Sequence, residues 1–281
     1  MRREHLQLKI LLTPLSTEIA IFRLHYNQRM TNFTYRDGIA VLQLIAFIPC
    51  LIFATVLCFK QGIRAVSACW RFLLILGLLR VIAAICQLLL MTHSDRSIVV
   101  TKLTCDMLGI APLTLAAVGL LRRVNETVQT LSKHVFLFVD VVSLAGLGVG
   151  IGGAVQAVDS SNIPLLLKIA LALFVACLGL MFCILGWLTA SVNLLPRNER
   201  LTLYSIYVCA PFLIVRMVYA CIGDFGHDPR FSIFDGDPTI FLCMSVLEEI
   251  IIMIICLYVG YMYPPTVLKS TAPKSRYMSE A

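Results

Sequence analysis

The chain has 281 residues, of which 59% are hydrophobic and 14% charged, with a formal net charge of +7 and a mean hydropathy of +0.88. Soluble domains average roughly 45–50% apolar and 25% charged residues, so the composition excludes a soluble globular protein and makes the lipid bilayer the first partner. No basic patch interleaved with aromatic residues accompanies the positive charge, which excludes a nucleic-acid partner.

In chain order, residues 1–37 form an N-terminal extracytoplasmic arm. The apolar run ILLTPLSTEIAIF (Ile10–Phe22) follows a basic start, but Thr13, Pro14, Ser16 and Glu18 interrupt it, so it makes a poor signal-peptide core. Residues 1–29 read as an interfacial or disordered extension, and whether they belong to the mature chain is open, since MTNFTYRDG would make a natural start. Asn32-Phe33-Thr34 is an N-glycosylation sequon on the outer side, and Asn125-Glu126-Thr127 is a second one in a cytosolic loop.

Residues 38–262 hold seven apolar runs near the ~20 residues needed to cross a hydrocarbon core. They lie at Gly38–Phe59, Phe72–Met91, Ile98–Leu121, Val135–Val158, Pro164–Leu185, Thr202–Ile222 and Pro238–Met262. A membrane span must satisfy its own backbone, as a helix or a closed barrel does, and these runs lack the strict alternation of barrel strands. The expected fold is therefore all-α, a polytopic seven-transmembrane-helix bundle. Pro49, Pro112 and Pro211 fall inside spans and predict kinks that open space or free a carbonyl. In the fourth span GLGVGIGG places Gly146 with Gly150, and Gly148 with Gly152, at the spacing that lets helix backbones approach.

Lys and Arg set the orientation. Lys60, Arg64, Arg71, Arg122, Arg123, Lys133, Arg197, Arg200, Lys269, Lys274 and Arg276 lie in the odd-numbered loops and the tail, against Arg96 and Arg230 in the even-numbered loops. The N-terminus is thus expected outside or in a lumen, and residues 263–281 form a disordered cytosolic tail. Neither plasma membrane nor endoplasmic reticulum is favoured.

The eleven cysteines have no metal-ligand spacing and read as small apolar packers; Cys69, beside Trp70, is a candidate for palmitoylation. The five histidines all lie in loops or the arm, which excludes the clustered histidines of di-iron or haem sites. The sixth loop, DFGHDPRFSIFDGDP, gathers Asp224, His227, Asp228, Asp235 and Asp237 and reads as a solvated acidic loop rather than a cation site. No metal and no cofactor is expected.

Charges inside the spans carry the functional signal, because they are expensive in lipid and face the bundle interior. Lys102, Lys168 and Asp140 lie about one turn from a span end and can reach the interface. Arg80, Asp106, Arg216, Glu248 and Glu249 are deeper and form the expected ion-pair cluster, with Glu248 and Glu249 as candidate general acids and Glu249 the more sensitive. Neighbours at i and i+1 point ~100° apart, so the two glutamates cannot face one guanidinium equally.

The stretches TYRDGIAVLQLIAFIPCL (Thr34–Leu51), GLLRVIAAICQL (Gly77–Leu88), LLRRVN (Leu120–Asn125), PFLIVRMVYACIGDF (Pro211–Phe225) and CMSVLEEIIIMIICLYVG (Cys243–Gly260) resemble an uncharacterised fungal family of seven-helix integral membrane proteins. The resemblance covers nearly all of Met30–Met262 and implies the fold and a fungal membrane setting, with Arg80, Arg216, Glu248 and Glu249 at the family's charged positions. It implies no activity. Receptor-type DRY and NPxxY motifs are missing, as is a Schiff-base lysine mid-way in the seventh span.

Three functions fit these residues. One is a bundle that binds or moves a small lipophilic metabolite, as an accessory of fungal secondary metabolism, with the charges anchoring an apolar cavity. A second is a membrane-embedded cyclase, similar in size, span number and intramembrane acids to the fungal membrane-bound terpene cyclases, with a buried Glu as general acid. The third is a sensor or accessory protein whose charge lattice is purely structural. Enzyme or not, and the oligomeric state, stay open at this level.

Overall fold

The computed structural model describes residues 33–61, 68–93, 95–159, 164–225, 229–231 and 236–263. Asn32, most of the expected arm and all but the first residue of the expected tail lie outside the described residues. The described chain is helical, without strands. Its helices are α1 (Tyr35–Gln61), α2 (Ala68–Leu89), α3 (Arg96–Leu108), α4 (Ile110–Val128), α5 (Lys133–Asp159), α6 (Leu165–Ala190), α7 (Arg197–Phe225), α8 (Pro238–Phe241) and α9 (Leu247–Met262). They make seven segments long and apolar enough to cross a membrane, α3–α4 forming the third and α8–α9 the seventh. The all-α seven-span bundle expected from the sequence is the architecture found.

The third span is the axis of the bundle. Its most apolar eighteen residues are 83% buried, against 28–44% in the other spans. α3 packs on α2 and α5, and α4 on α2, α5, α6 and α7, while α1–α2, α5–α6, α6–α7, α7–α9 and α9–α1 contacts build the surrounding wall. A central helix touches protein on all sides, so it can carry polar groups that a lipid-facing helix cannot.

Local chemistry explains the helix ends and breaks. Asp37 accepts a hydrogen bond from the Thr34 backbone N–H at 2.9 Å, which starts α1 at Tyr35, earlier than the expected Gly38. Pro49 and Pro211 sit within continuous helices. Pro112 lacks the N–H that would bond the Leu108 carbonyl, and the helix is interrupted one residue further on, at Gly109. A π-turn at Leu242–Val246 joins α8 to α9.

Glycines set the closest approaches. A Cβ on Gly119 would lie 2.8 Å from the Cys69 backbone nitrogen, and one on Gly153 would lie 2.8 Å from that of Leu167. Gly146 and Gly150 face α6, whereas a Cβ on Gly148 or Gly152 would meet nothing within 4 Å. The α5–α6 seam therefore runs along Gly146, Gly150 and Gly153, and the expected Gly148–Gly152 pair is not part of it. Cys69 is buried under Gly119, which removes it from the reach of an acyl donor and corrects the palmitoylation expectation.

Candidate functional site

Halfway along the bundle, α2, α3, α7 and α9 each send one charged side chain towards the axis. Arg80 is fully buried and its guanidinium is shared between two acids. Nη1 donates to Asp106 Oδ1 at 2.8 Å, while Nε and Nη2 donate to the two oxygens of Glu249 in a bidentate pair. Arg216 Nε donates to Glu249 Oε1 at 3.0 Å. Two cations and two anions make a neutral quartet, which lets charge persist in a low-dielectric interior where a lone ion would not.

Gly109 makes room for it. A Cβ there would stand 2.6 Å from Arg80 Nη2 and 3.1 Å from Glu249 Oε1. At the same break, the Asp106 backbone carbonyl accepts from Arg80 Nη2 at 3.5 Å and from Arg216 Nη2 at 3.4 Å. The interruption thus seats the guanidiniums against the central helix, a role for Gly109 that charge counting missed. Its signal was present in GIAP, a glycine three residues before a mid-span proline.

The structure brings together four of the five expected cluster residues. Glu248 is buried, but its Oε2 has no hydrogen-bond partner, and Glu249 takes both arginines. Both Glu249 oxygens accept charged N–H donors, Oε1 from both arginines and Oε2 from Arg80, so the carboxylate is placed as an acceptor.

Two cavities flank Asp106, each about 40 Å³. One is polar, lined by Arg36, Gln43, Gln87, Lys102 and Asp106. The other is lined mainly by apolar groups, among them Leu108, Ile110, Gly150, Leu167, Leu171 and Phe174, with Arg216 and Asp224 on its wall. They share Asp106, Tyr219 and Phe241. Tyr219 packs against Phe231 at 6.2 Å and Phe241 at 6.5 Å between ring centroids, and the Arg216 guanidinium lies 5.6 Å over its ring. An aromatic partition thus separates the two lobes beside the charged quartet.

Other expected residues fall elsewhere. Asp224 is a buried group at the end of α7, not part of a solvated loop, whereas Asp237 is exposed and caps α8 by accepting from the Thr239 N–H at 2.8 Å; His227, Asp228 and Asp235 lie outside the described residues. Asp140 pairs with Arg122, and Lys168 lies 6.0 Å over the Phe225 ring. Asn125 is buried, donating to the Leu131 carbonyl and accepting from its N–H, each at 2.9 Å. That clasp leaves its second sequon no free amide to modify.

At the far end Arg123 is more than a topology signal. It is buried against Glu199, with Nε–Oε2 and Nη2–Oε1 both 3.1 Å, and Nη2 also donates to the Tyr263 carbonyl at 2.6 Å. This second buried pair ties α4, α7 and the end of α9 together. Its signal was the matched depth of LLRRVN and PRNERL on opposite helices.

A family model described as a domain of unknown function, DUF7702, matches residues 33–265. No curated protein and no solved structure matches the chain.

Proposed function

The chain belongs to the DUF7702 family, a domain of unknown function, and from the chemistry of its interior we propose that this integral multi-pass membrane protein binds a small lipophilic metabolite beside Asp106. The observation that carries the reading is the pairing of a polar lobe with an apolar one across Tyr219 and Phe241. A ligand site needs apolar walls and a few convergent polar groups, and the two lobes supply these side by side. At about 40 Å³ each holds only about three waters, so an organic ligand enters by swinging the rings of Tyr219 and Phe241. The quartet is then the frame that holds the walls. A fungal membrane is the setting we assign on the sequence resemblance alone, and a part in secondary metabolism is a finer reading that rests on the lipophilic ligand proposed here.

Catalysis by Glu249 fits less well, since a carboxylate with both oxygens on guanidinium donors has no proton to give. The accessory reading retains one specific support, the complete pairing of Arg80, Asp106, Arg216 and Glu249. The test is chemical. Wild-type protein purified in non-ionic detergent is extracted and analysed by mass spectrometry, beside Gly150→Leu, which projects a side chain into the apolar lobe from a position where a Cβ makes only ordinary contacts at 3.5 and 3.8 Å. A lipophilic compound near stoichiometric in the wild type and depleted in the variant is the expected result. Equal extracts, with nothing enriched over a mock purification, would sink the binding reading and leave the structural one.

A further inference from the structure

The polar lobe holds donors that the fold has not used. Gln43 is 4% exposed and its Nε2 has no hydrogen-bond partner among the described residues. Lys102 makes no hydrogen bond or ion pair among the described residues, although it sits on the lobe wall. The other groups there are committed: Arg36 Nη2 donates to the Gly236 carbonyl at 2.6 Å, Gln87 Nε2 donates to Asp37 Oδ1 at 2.8 Å, and Asp106 Oδ1 is held by Arg80. Buried donors without acceptors are rare and call for water or a ligand. Gln43 Nε2 is such a donor, and beside it on the lobe wall stands the half-buried ammonium of Lys102, whose nearest carboxylate along the helix, Asp106, is already matched by a guanidinium.

We infer that the polar lobe is the seat of the acidic head of a lipophilic acid, a carboxylate received by Lys102 and Gln43. The inference rests on the lipophilic-ligand reading above and adds the charge of the ligand. Room for about three waters suits a carboxylate better than the bulkier phosphate. Asp106 lines both lobes, but the polar lobe sets two cations, Arg36 and Lys102, beside it, whereas the apolar lobe adds Asp224 and has Arg216 as its cation; like charges repel, so the ligand's direction is set: head towards Lys102, body across the aromatic partition. Discrimination then comes from both an attractive and a repulsive group.

The experiment uses the full chain in non-ionic detergent and measures binding of radiolabelled oleate, methyl oleate, oleylamine and 1-oleoyl lysophosphatidate by scintillation proximity. Oleate is expected to bind at least about tenfold tighter than the ester or the amine, since a hydrogen bond to a charged group typically contributes that much or more. Lys102→Met should bring oleate down to the affinity of its methyl ester, Lys102→Arg should keep the preference, and Gln43→Leu should weaken oleate about threefold or more, with melting curves reporting that each variant folds. If Lys102→Met does not fold, Gln43→Leu decides. Ester or amine binding as tightly as oleate, or a folded Lys102→Met with the preference intact, overturns the acid site and leaves the lipophilic reading standing. Tighter binding of lysophosphatidate overturns the carboxylate assignment, and no binding by any of the four overturns both readings.

Discussion

Arg80 is the residue on which the interior depends, because it alone touches both acids of the quartet. Arg80→Met would leave Asp106 without its cation and Glu249 with only Arg216, and stranding a buried charge typically costs about 3–5 kcal/mol. Arg216 makes fewer contacts, so Arg216→Leu leaves Glu249 still gripped by two donors of Arg80. Melting in detergent is therefore expected to fall much further for Arg80→Met than for Arg216→Leu; the reverse order would place the weight of the site on α7. Glu249→Gln leaves Arg216 without a carboxylate and Arg80 with Asp106 alone and should be severe, whereas Glu248→Gln removes a charge whose Oε2 has no partner among the described residues and should be neutral or stabilising. A Glu248→Gln that melts as low as Glu249→Gln would mean that Glu248 has a partner in the membrane. Gly109→Ala brings a methyl within 2.6 Å of Arg80 Nη2, and overpacking of this kind costs about 1–3 kcal/mol.

At the scale of the element, the third span shows how a defect becomes a site. An unbroken helix spends each carbonyl on the N–H four residues ahead. The Gly109–Pro112 interruption offers the Asp106 carbonyl to two arginines instead, and it does so on the span with the largest buried share. The α5–α6 seam supplies a separate test. Gly153→Leu drives a side chain into the Leu167 backbone, whereas Gly152→Leu points into open space. Loss of folded protein is expected for the first and near-wild-type melting for the second. If both are tolerated, α6 can move away from α5 at little cost and the seam is not a constraint. The π-turn before α9 has a subtler effect: an added residue in one turn rotates the following face by about 100°, so helical periodicity counted from Ser245 cannot tell which glutamate meets the arginines.

At the scale of the whole molecule, the two buried ion-pair sites stand near the middle and near one end. The quartet joins α2, α3, α7 and α9, and Arg123–Glu199 joins α4 to α7 at the end where α9 finishes. With the orientation proposed from the Lys and Arg asymmetry, the polar lobe opens from the outer or lumenal half and Arg123 lies on the cytosolic side. A reporter fused after Ala281 should read cytosolic and one inserted at Asp228 should read external or lumenal. Finding the two on the same side of the membrane would overturn that topology.

The apolar runs by themselves determined the number and nature of the spans, because in lipid an unpaired backbone is so costly that a twenty-residue hydrophobic stretch has few alternatives to a helix. They also singled out Arg80, Asp106, Arg216, Glu248 and Glu249, because a charge in hydrocarbon is conspicuous wherever it points, although Glu248 stands outside the ion pairs. Pairing was another matter. Which acid meets which guanidinium depends on helix phase and neighbour order, and these are set by the break at Gly109, the π-turn at Leu242–Val246 and glycine contacts such as Gly119 on Cys69, all of them packing events between segments far apart in the chain. Lys102 and Gln43 were ordinary residues in one dimension. Only the tertiary structure, by committing Arg36 to Gly236, Gln87 to Asp37 and Asp106 to Arg80, left these two facing a cavity with donors to spare.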